Sequence, residues 1–313
     1  MEQIVIQNVN KYYGKKHALQ DVSLTINRGM FGLLGRNGAG KTTLMKTLSG
    51  LLQKQGGTIT LCGIPVENAR EIRSMIGYLP QDFSMYPRMT VYESLDYLGT
   101  LSGMKKEERK ARIELLLKSV NLSEHRRKKV KALSGGMRRR LGIAQALLHD
   151  PKVLIVDEPT AGLDPEERIR FRNLLTEAAE NRIVILSTHI VGDIEASCED
   201  IAIMNEGKIL WQGTVSALLE NARGKVYTLT VPKKLLSQIR KEYIVTAMQL
   251  QGEKVSLRIL TGNEMAEDGK RAVFSIPEAE GVEVAEPGLE DAYMYCLYEN
   301  GCDVNGGDEV CSL

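Results

Sequence analysis

The chain lacks most of what would mark a membrane protein, a secreted scaffold or a nucleic-acid binder. No uncharged stretch approaches the ~18 consecutive apolar residues that a bilayer-spanning helix needs, so any membrane role is expected to be borrowed from a partner. The start, Met1-Glu2-Gln3, has neither a basic flank nor an apolar segment behind it, and no secretory signal is expected. Net charge is almost nil: Lys+Arg 41 against Asp+Glu 40 leaves +1. No global field therefore draws in nucleic acid or anionic lipid. Cysteine is sparse. Five residues (62, 198, 296, 302, 311) are scattered without CxxC spacing. They read as reduced thiols in a cytoplasmic protein, not as a metal site or a disulfide framework.

Against these absences one stretch stands out, Gly35-Arg36-Asn37-Gly38-Ala39-Gly40-Lys41-Thr42-Thr43. It fits G-x-x-x-x-G-K-[ST]. An apolar run, Met30 to Leu34, enters it, and residues 42–48 leave it with helical spacing. Glycines let consecutive N–H groups converge on phosphate oxygens, and the helix behind them presents its positive end to the same anion. Lys41 adds a cation for the β- and γ-phosphates, and the Thr42 hydroxyl is placed to ligate Mg²⁺. Gly-rich strand-to-helix turns also occur without nucleotide, but rarely with Lys-Thr in place.

The length, 313 residues, predicts about two domains. Ile4 to Ile6 reads as an edge strand with Leu19 to Ile26 as its hairpin partner, and Thr58 to Leu61 as another strand. Tyr12 and Tyr13 lie between the first two; either could stack on a base or pack on its own sheet. Ile76 to Gln81 is a strand ending in a glutamine that could reach Mg²⁺ or water, although a Gln after Pro is usually a loop residue. Helical spacing follows at 91, 95, 98 and 101 and again at 113, 116, 117 and 120, a helical insert at about residues 85–150. The basic run at 125–129 reads as a solvated face. Ser134 is a plausible N-cap before Gly135, Gly136 and Met137, and this helix start is a second potential anion site.

Val153 to Val156 is a continuous apolar run, as a central parallel strand requires. It ends in Asp157-Glu158. Asp157 is placed to hold Mg²⁺, and Glu158 to polarise a water for attack on a γ-phosphate; solvated loop acids are the bland alternative. Gly162-Leu163-Asp164-Pro165 turns into a further helix. Ile183 to Leu186 is the next buried strand, ending near His189, which could donate to a phosphate or be merely structural. Residues 201–204 and 208–211 form a closing hairpin. Beyond 222 the character changes to a small α+β domain over 225–300, with a last helix apolar at 289, 293, 296 and 297. The tail, 301–313, reads as disordered.

Taken together, the phosphate loop, Gln81, Leu133-Ser134-Gly135-Gly136-Met137, Asp157-Glu158 and His189 resemble, in order and spacing, an ABC-transporter nucleotide-binding subunit over about residues 1–220. The resemblance implies an α/β P-loop NTPase fold with an antiparallel β subdomain and a helical insert, a nucleotide-binding domain at 1–222. It implies that Tyr13 stacks on adenine, with Tyr12 as fallback, and that residues 35–43 form the Walker A loop. Gln81 is then the Q-loop residue touching Mg²⁺, Ser134, Gly135 and Gly136 the signature, and Asp157 and Glu158 the Walker B pair. Asp164 is the D-loop aspartate and His189 the switch histidine. The cofactors implied are ATP and Mg²⁺. The partners are a separate membrane permease and a second copy or paralogue, paired head to tail at the inner face of the membrane. Residues 31–35, 77–81 and 92–95 look like the exporters of daunorubicin, bacitracin and sodium, whose ATPases carry a similar C-terminal extension. Met137 stands where Gln is commoner and Arg36 where Pro is commoner; neither change removes a phosphate contact. The rival reading is an ABC ATPase acting on nucleic acid or the ribosome. Its support is limited to the basic runs at 126–129 and 138–140, and too few residues separate Lys41 from Ser134 to hold coiled-coil arms.

Overall fold

The computed structural model describes residues 2–261, 273, 276 and 278–304. It divides into two compact units, Met1–Gln212 and Gly213–Leu313. The division falls earlier than the compositional change at 222. Residues 305–313, most of the tail read as disordered, lie outside the described residues.

The first unit opens with a long antiparallel pair, β1 (Gln3–Tyr13) and β2 (Lys16–Asn27). β3 (Gly29–Leu34) then runs into the glycine loop, and α1 (Lys41–Leu48) leaves it. β4 (Gly56–Leu61) and β5 (Ile64–Pro65) return to the first sheet, whose order is β2-β1-β4-β5. β1 is therefore not an edge strand, as its short apolar alternation implied; it pairs on both sides. Edge pairing is set by the neighbouring strands, and the outward Gln7 and Asn8 stay exposed as the alternation suggests.

α2 (Ala69–Met75) leads to β6 (Ile76–Leu79), after which come the helices α3 (Val91–Leu101), α4 (Lys106–Ser119) and α5 (Gly135–Ala146). A capping box starts α3, Thr90 and Glu93 exchanging bonds through side chain and backbone. Val91 and Leu95 are buried, but Leu101, expected on the same face, is 65% exposed because α3 ends there. The basic run contributes backbone: Lys128 O and Arg126 O accept from Val91 N and Tyr92 N (both 3.0 Å), N–H groups that a helix start leaves without partners.

β7 (Val153–Asp157), α6 (Pro165–Ala179), β8 (Ile183–Thr188), α7 (Val191–Glu195), β9 (Asp200–Asn205) and β10 (Lys208–Thr214) follow. They complete a second sheet in the order β10-β9-β3-β8-β7-β6. β9, β3, β8, β7 and β6 are parallel. Every residue of β7 and β8 is buried, which explains their unbroken apolar runs. Leu44, Met45 and Leu48 of α1 lie in one core with Leu24 and Ile26 of β2 and with Ile155 and Ile185 of the parallel sheet. Each such side chain contributes about 1.5–3 kcal/mol on burial. This clamps the helix behind the glycine loop.

The second unit holds α8 (Val215–Asn221), β11 (Val226–Pro232), α9 (Leu236–Glu242), β12 (Ile244–Gln251), β13 (Lys254–Leu260), β14 (Glu280–Val284) and α10 (Leu289–Glu299). Its sheet is antiparallel, in the order β12-β13-β11-β14. Leu289, Tyr293, Cys296 and Leu297 of α10 are all buried.

Candidate active site

The site forms where β3, β7 and β8 end, the place an open parallel sheet offers a ligand. Gly35 N donates to Thr188 O at 3.3 Å, so the loop leaves β3 tied to the neighbouring strand. Gly40 caps α1 at φ 109°, in the left-handed region, and a Cβ there would lie 2.8 Å from Ala18 O. Only glycine accepts both constraints. Lys41 is 5% exposed; its Nζ donates to Gly35 O (2.6 Å) and Arg36 O (3.2 Å) and pairs with Glu158 Oε1 at 3.0 Å.

The two acids at the end of β7 are held differently. Asp157 is fully buried; its Oδ1 accepts from Ser187 Oγ at 2.6 Å, while Oδ2 has no hydrogen-bond partner. A buried carboxylate oxygen without a donor is costly and is a natural ligand for a hard cation. Mg²⁺ therefore fits the residues present. Glu158 sits at φ 49°, a strained conformation for a residue with a side chain. Its N–H donates to Ser187 O at 2.9 Å. Its carboxylate is spanned by two partners, Lys41 on Oε1 and His189 Nδ1 on Oε2 at 2.5 Å.

A cleft of about 700 Å³ opens over the loop, lined by Tyr13, Asn37, Gly38, Ala39, Gly40, Lys41, Thr42, Thr43, Gln81 and Glu158. Tyr13 faces it with Lys11 Nζ 5.6 Å from its ring, whereas Tyr12 stacks on His17 at 4.0 Å and does not line the cleft. Lys16, His17, Ala18, Gln20, Glu206 and Gly207 complete the wall. Sequence reasoning did not find them. They arrive through long-range backbone bonds: Gln20 N to Gly207 O and Gly207 N to Ala39 O, both 2.8 Å. No local pattern announces such a contact.

Ser134, Gly135, Gly136 and Asp164 are not among the cleft's lining residues. Ser134 caps α5, its Oγ accepting from Met137 N at 3.2 Å. A Cβ on Gly136 would meet Glu167 Oε2 at 2.6 Å, and Glu167 pairs with Arg140 Nε at 3.2 Å. Asp164 caps α6, accepting from Glu167 N at 2.9 Å. A smaller cleft of about 280 Å³ joins Gln81 and Gly135 to Ala161, Gly162 and Leu163. There Arg139 donates to Gln81 O at 2.6 Å, fastening α5 to the turn that carries the glutamine.

The chain is similar to known proteins along most of its length. A family model described as ABC transporter matches residues 19–161. The uncharacterized ABC transporter ATP-binding protein YxlF of Bacillus subtilis is 36% identical over 298 residues, covering 94% of this chain and 99% of the relative. The linearmycin resistance ATP-binding protein LnrL of the same organism is 34% identical over 247 residues, covering 78% of each. A dimeric ATP-binding cassette solved in a post-hydrolysis state with ADP and Pi superposes with a TM-score of 0.62. It is 25% identical, and the match covers 67% of this chain and 98% of that one.

Proposed function

This chain belongs to the ATP-binding proteins of the ABC transporters, and on that premise we propose that Glu158 is the general base of its hydrolysis step. The chain binds ATP and Mg²⁺ and hydrolyses ATP as the energising subunit of an exporter-type transporter; such subunits dimerise and work with membrane permeases. The observation that carries the catalytic reading is the Lys41–Glu158–His189 chain of contacts at the ends of β3, β7 and β8. Lys41 contributes positive charge to the β- and γ-phosphates, Glu158 takes the proton from the attacking water, and His189 holds the Glu158 carboxylate. Asp157, Thr42 and Gln81 would hold Mg²⁺, and the ion would supply positive charge toward the phosphate oxygens. Tyr13 stacks on the base, since it lines the cleft and Tyr12 is already occupied by His17.

Glu158→Gln keeps size and hydrogen bonding but cannot take a proton. Turnover should fall by ~10²–10⁴, with nucleotide binding retained. Wild-type turnover in that variant would move the role elsewhere, and His189 would be tested next.

Two chains pair head to tail, the signature of one, Ser134 to Gly136, completing the site of the other, with Asp164 at the junction. This reading is supported by the signature's lying outside the cleft of its own chain. It is tested by mixing Lys41→Ala with Ser134→Arg: mixed dimers should occlude about one nucleotide each, and no recovery would overturn the arrangement. The permease is a separate chain that docks on the helical region near 85–150 and holds the subunit at the inner face of the membrane. No described helix is long and apolar enough to cross a bilayer. Residues beyond 222 form an accessory domain dispensable for ATP binding. Three of the basic residues behind the nucleic-acid reading are engaged within the chain. Arg126 pairs with Glu114 at 2.7 Å and lies over Tyr92; Arg139 is spent on Gln81 O, and Arg140 on Val120 O and Glu167.

A further inference from the structure

Beyond the end of β7 the chain must make a difficult departure. Glu158 is left-handed at φ 49°, and Pro159 follows with no N–H to tie it down. The next residue, Thr160, is 1% exposed, and its Oγ1 donates a short hydrogen bond to Asp193 Oδ2. Asp193 lies on α7, four residues past His189, and is fully buried. Its other oxygen, Oδ1, makes no hydrogen bond; Arg172 Nη1 of α6 stands 4.0 Å away and donates to Gly192 O at 3.3 Å.

The sheet ladder between β7 and β8 stops at Asp157 and Ser187. Past that pair a single backbone bond, Glu158 N to Ser187 O at 2.9 Å, holds the glutamate to β8, and His189 follows the end of that strand. The Thr160–Asp193 bond lies further out again, joining the segment that carries the glutamate to the segment that carries the histidine. A buried carboxylate with one hydroxyl and one distant cation is an expensive group to keep. A Thr–Asp tie needs no such charge if its task is only to fill space. We infer that Asp193, through Thr160, is a positioning residue for hydrolysis: it fixes the strained turn at Glu158 against the start of α7, holding the Glu158–His189 contact in register. Through Arg172 the same carboxylate tethers α6, which Asp164 caps.

This rests on Glu158 being the general base, and the experiment separates the two. Single-turnover hydrolysis and Mg–ATP affinity are measured on the full chain for Thr160→Val, Thr160→Ser, Asp193→Asn and Glu158→Gln, and for Thr160→Val combined with Glu158→Gln. Thr160→Val keeps the volume but leaves the Asp193 carboxylate without its hydroxyl donor, so its unfolding midpoint is measured alongside the rate. Asp193→Asn, which removes the buried charge, is the milder second variant. Thr160→Val should lower the hydrolysis rate about ten- to hundredfold, as misplacement of a reacting group does. Affinity should stay within about threefold, the mark of a loss confined to the chemical step. Thr160→Ser restores the hydroxyl and should restore the rate; Asp193→Asn keeps an acceptor and should fall between. In the Glu158→Gln background, Thr160→Val should cost nothing more, because the group it positions no longer takes the proton. Wild-type hydrolysis by Thr160→Val, or a full further loss on top of Glu158→Gln, overturns the positioning role. So does a Thr160→Ser variant as slow as Thr160→Val. If Glu158→Gln itself turns over at the wild-type rate, the general-base reading fails first, and the positioning inference with it.

Discussion

Asp157 in the first unit and Asp291 in the second are both buried carboxylates, 0% and 3% exposed, and they are treated in opposite ways. Asp291 is fully satisfied. It accepts from Thr246 Oγ1 (2.6 Å), from Arg258 Nε (2.8 Å) and from Gly288 N (2.8 Å), with Arg258 Nη2 at 2.7 Å. Asp157 has Ser187 Oγ on one oxygen and nothing on the other. A buried charge that meets all its donors welds α10 to the sheet. One left short is destabilising on its own and is retained where a cation completes it. The contrast separates a structural ion pair from a site, using only the count of donors.

The largest effect expected from this contrast is at the satisfied acid. Asp291→Ala leaves the half-buried Arg258, and the Thr246 hydroxyl and Gly288 N–H, without their acceptor and should cost about 1–3 kcal/mol. The loss should be confined to the second unit, with Mg–ATP affinity unchanged. The two buried thiols give the readout: burial pushes Cys198 and Cys296 each up to about 12, so neither is alkylated at neutral pH until its unit opens. Site-resolved labelling under native conditions should show Cys296 becoming reactive in Asp291→Ala while Cys198 stays protected. Simultaneous labelling of both would mean the units open together.

A smaller and opposite effect belongs to the unsatisfied acid. Asp157→Asn keeps an acceptor for Ser187 and removes a charge with too few donors. Denaturant unfolding without Mg²⁺ should shift by no more than about 1 kcal/mol, in either direction. What should vanish is the rise in ATP affinity on adding Mg²⁺. If this variant unfolds as readily as Asp291→Ala, donor count does not distinguish the two carboxylates.

The smallest effect is one of pH. Burial is the main cause holding His149 below its ordinary 6.5, although the Ile76 carbonyl and Asp150 pull the other way. Folding thus favours the neutral ring. Its contribution is complete above pH 6.5 and is lost as pH falls from there through the lowered folded value. His149→Gln should flatten that acid-side loss, seen as a shallower pH dependence of Cys198 protection, and leave Cys296 untouched. An unchanged slope would show that the ring is solvated in the folded chain.

The site was legible to different depths. Residues 35–43, Ser134 and the Asp157-Glu158 pair could be read directly, because a strand-loop-helix junction, an N-cap and a buried strand end are each encoded by neighbours in the chain. The last helix was legible for the same reason, its apolar spacing being local. β12 was not: residues 247–251 are exposed on an edge strand, so no burial imprints alternation on them. Ile4 to Ile6 misled for a related reason. Pairing on both edges of β1 is a property of β2 and β4, not of its own side-chain pattern.

What the sequence by itself determined is which chemical groups are available and where backbone geometry presents them: glycines where φ must be positive, a cation at the first turn of α1, acids and a histidine just past buried strands. Tertiary structure alone decided their partners. That Lys41 meets Glu158, that Glu158 meets His189 and that Thr160 reaches Asp193 all depend on segments tens of residues apart. Local spacing constrains a residue against its own helix or strand. A hydrogen bond between strand ends is set by the order of strands in the sheet, which no single segment carries.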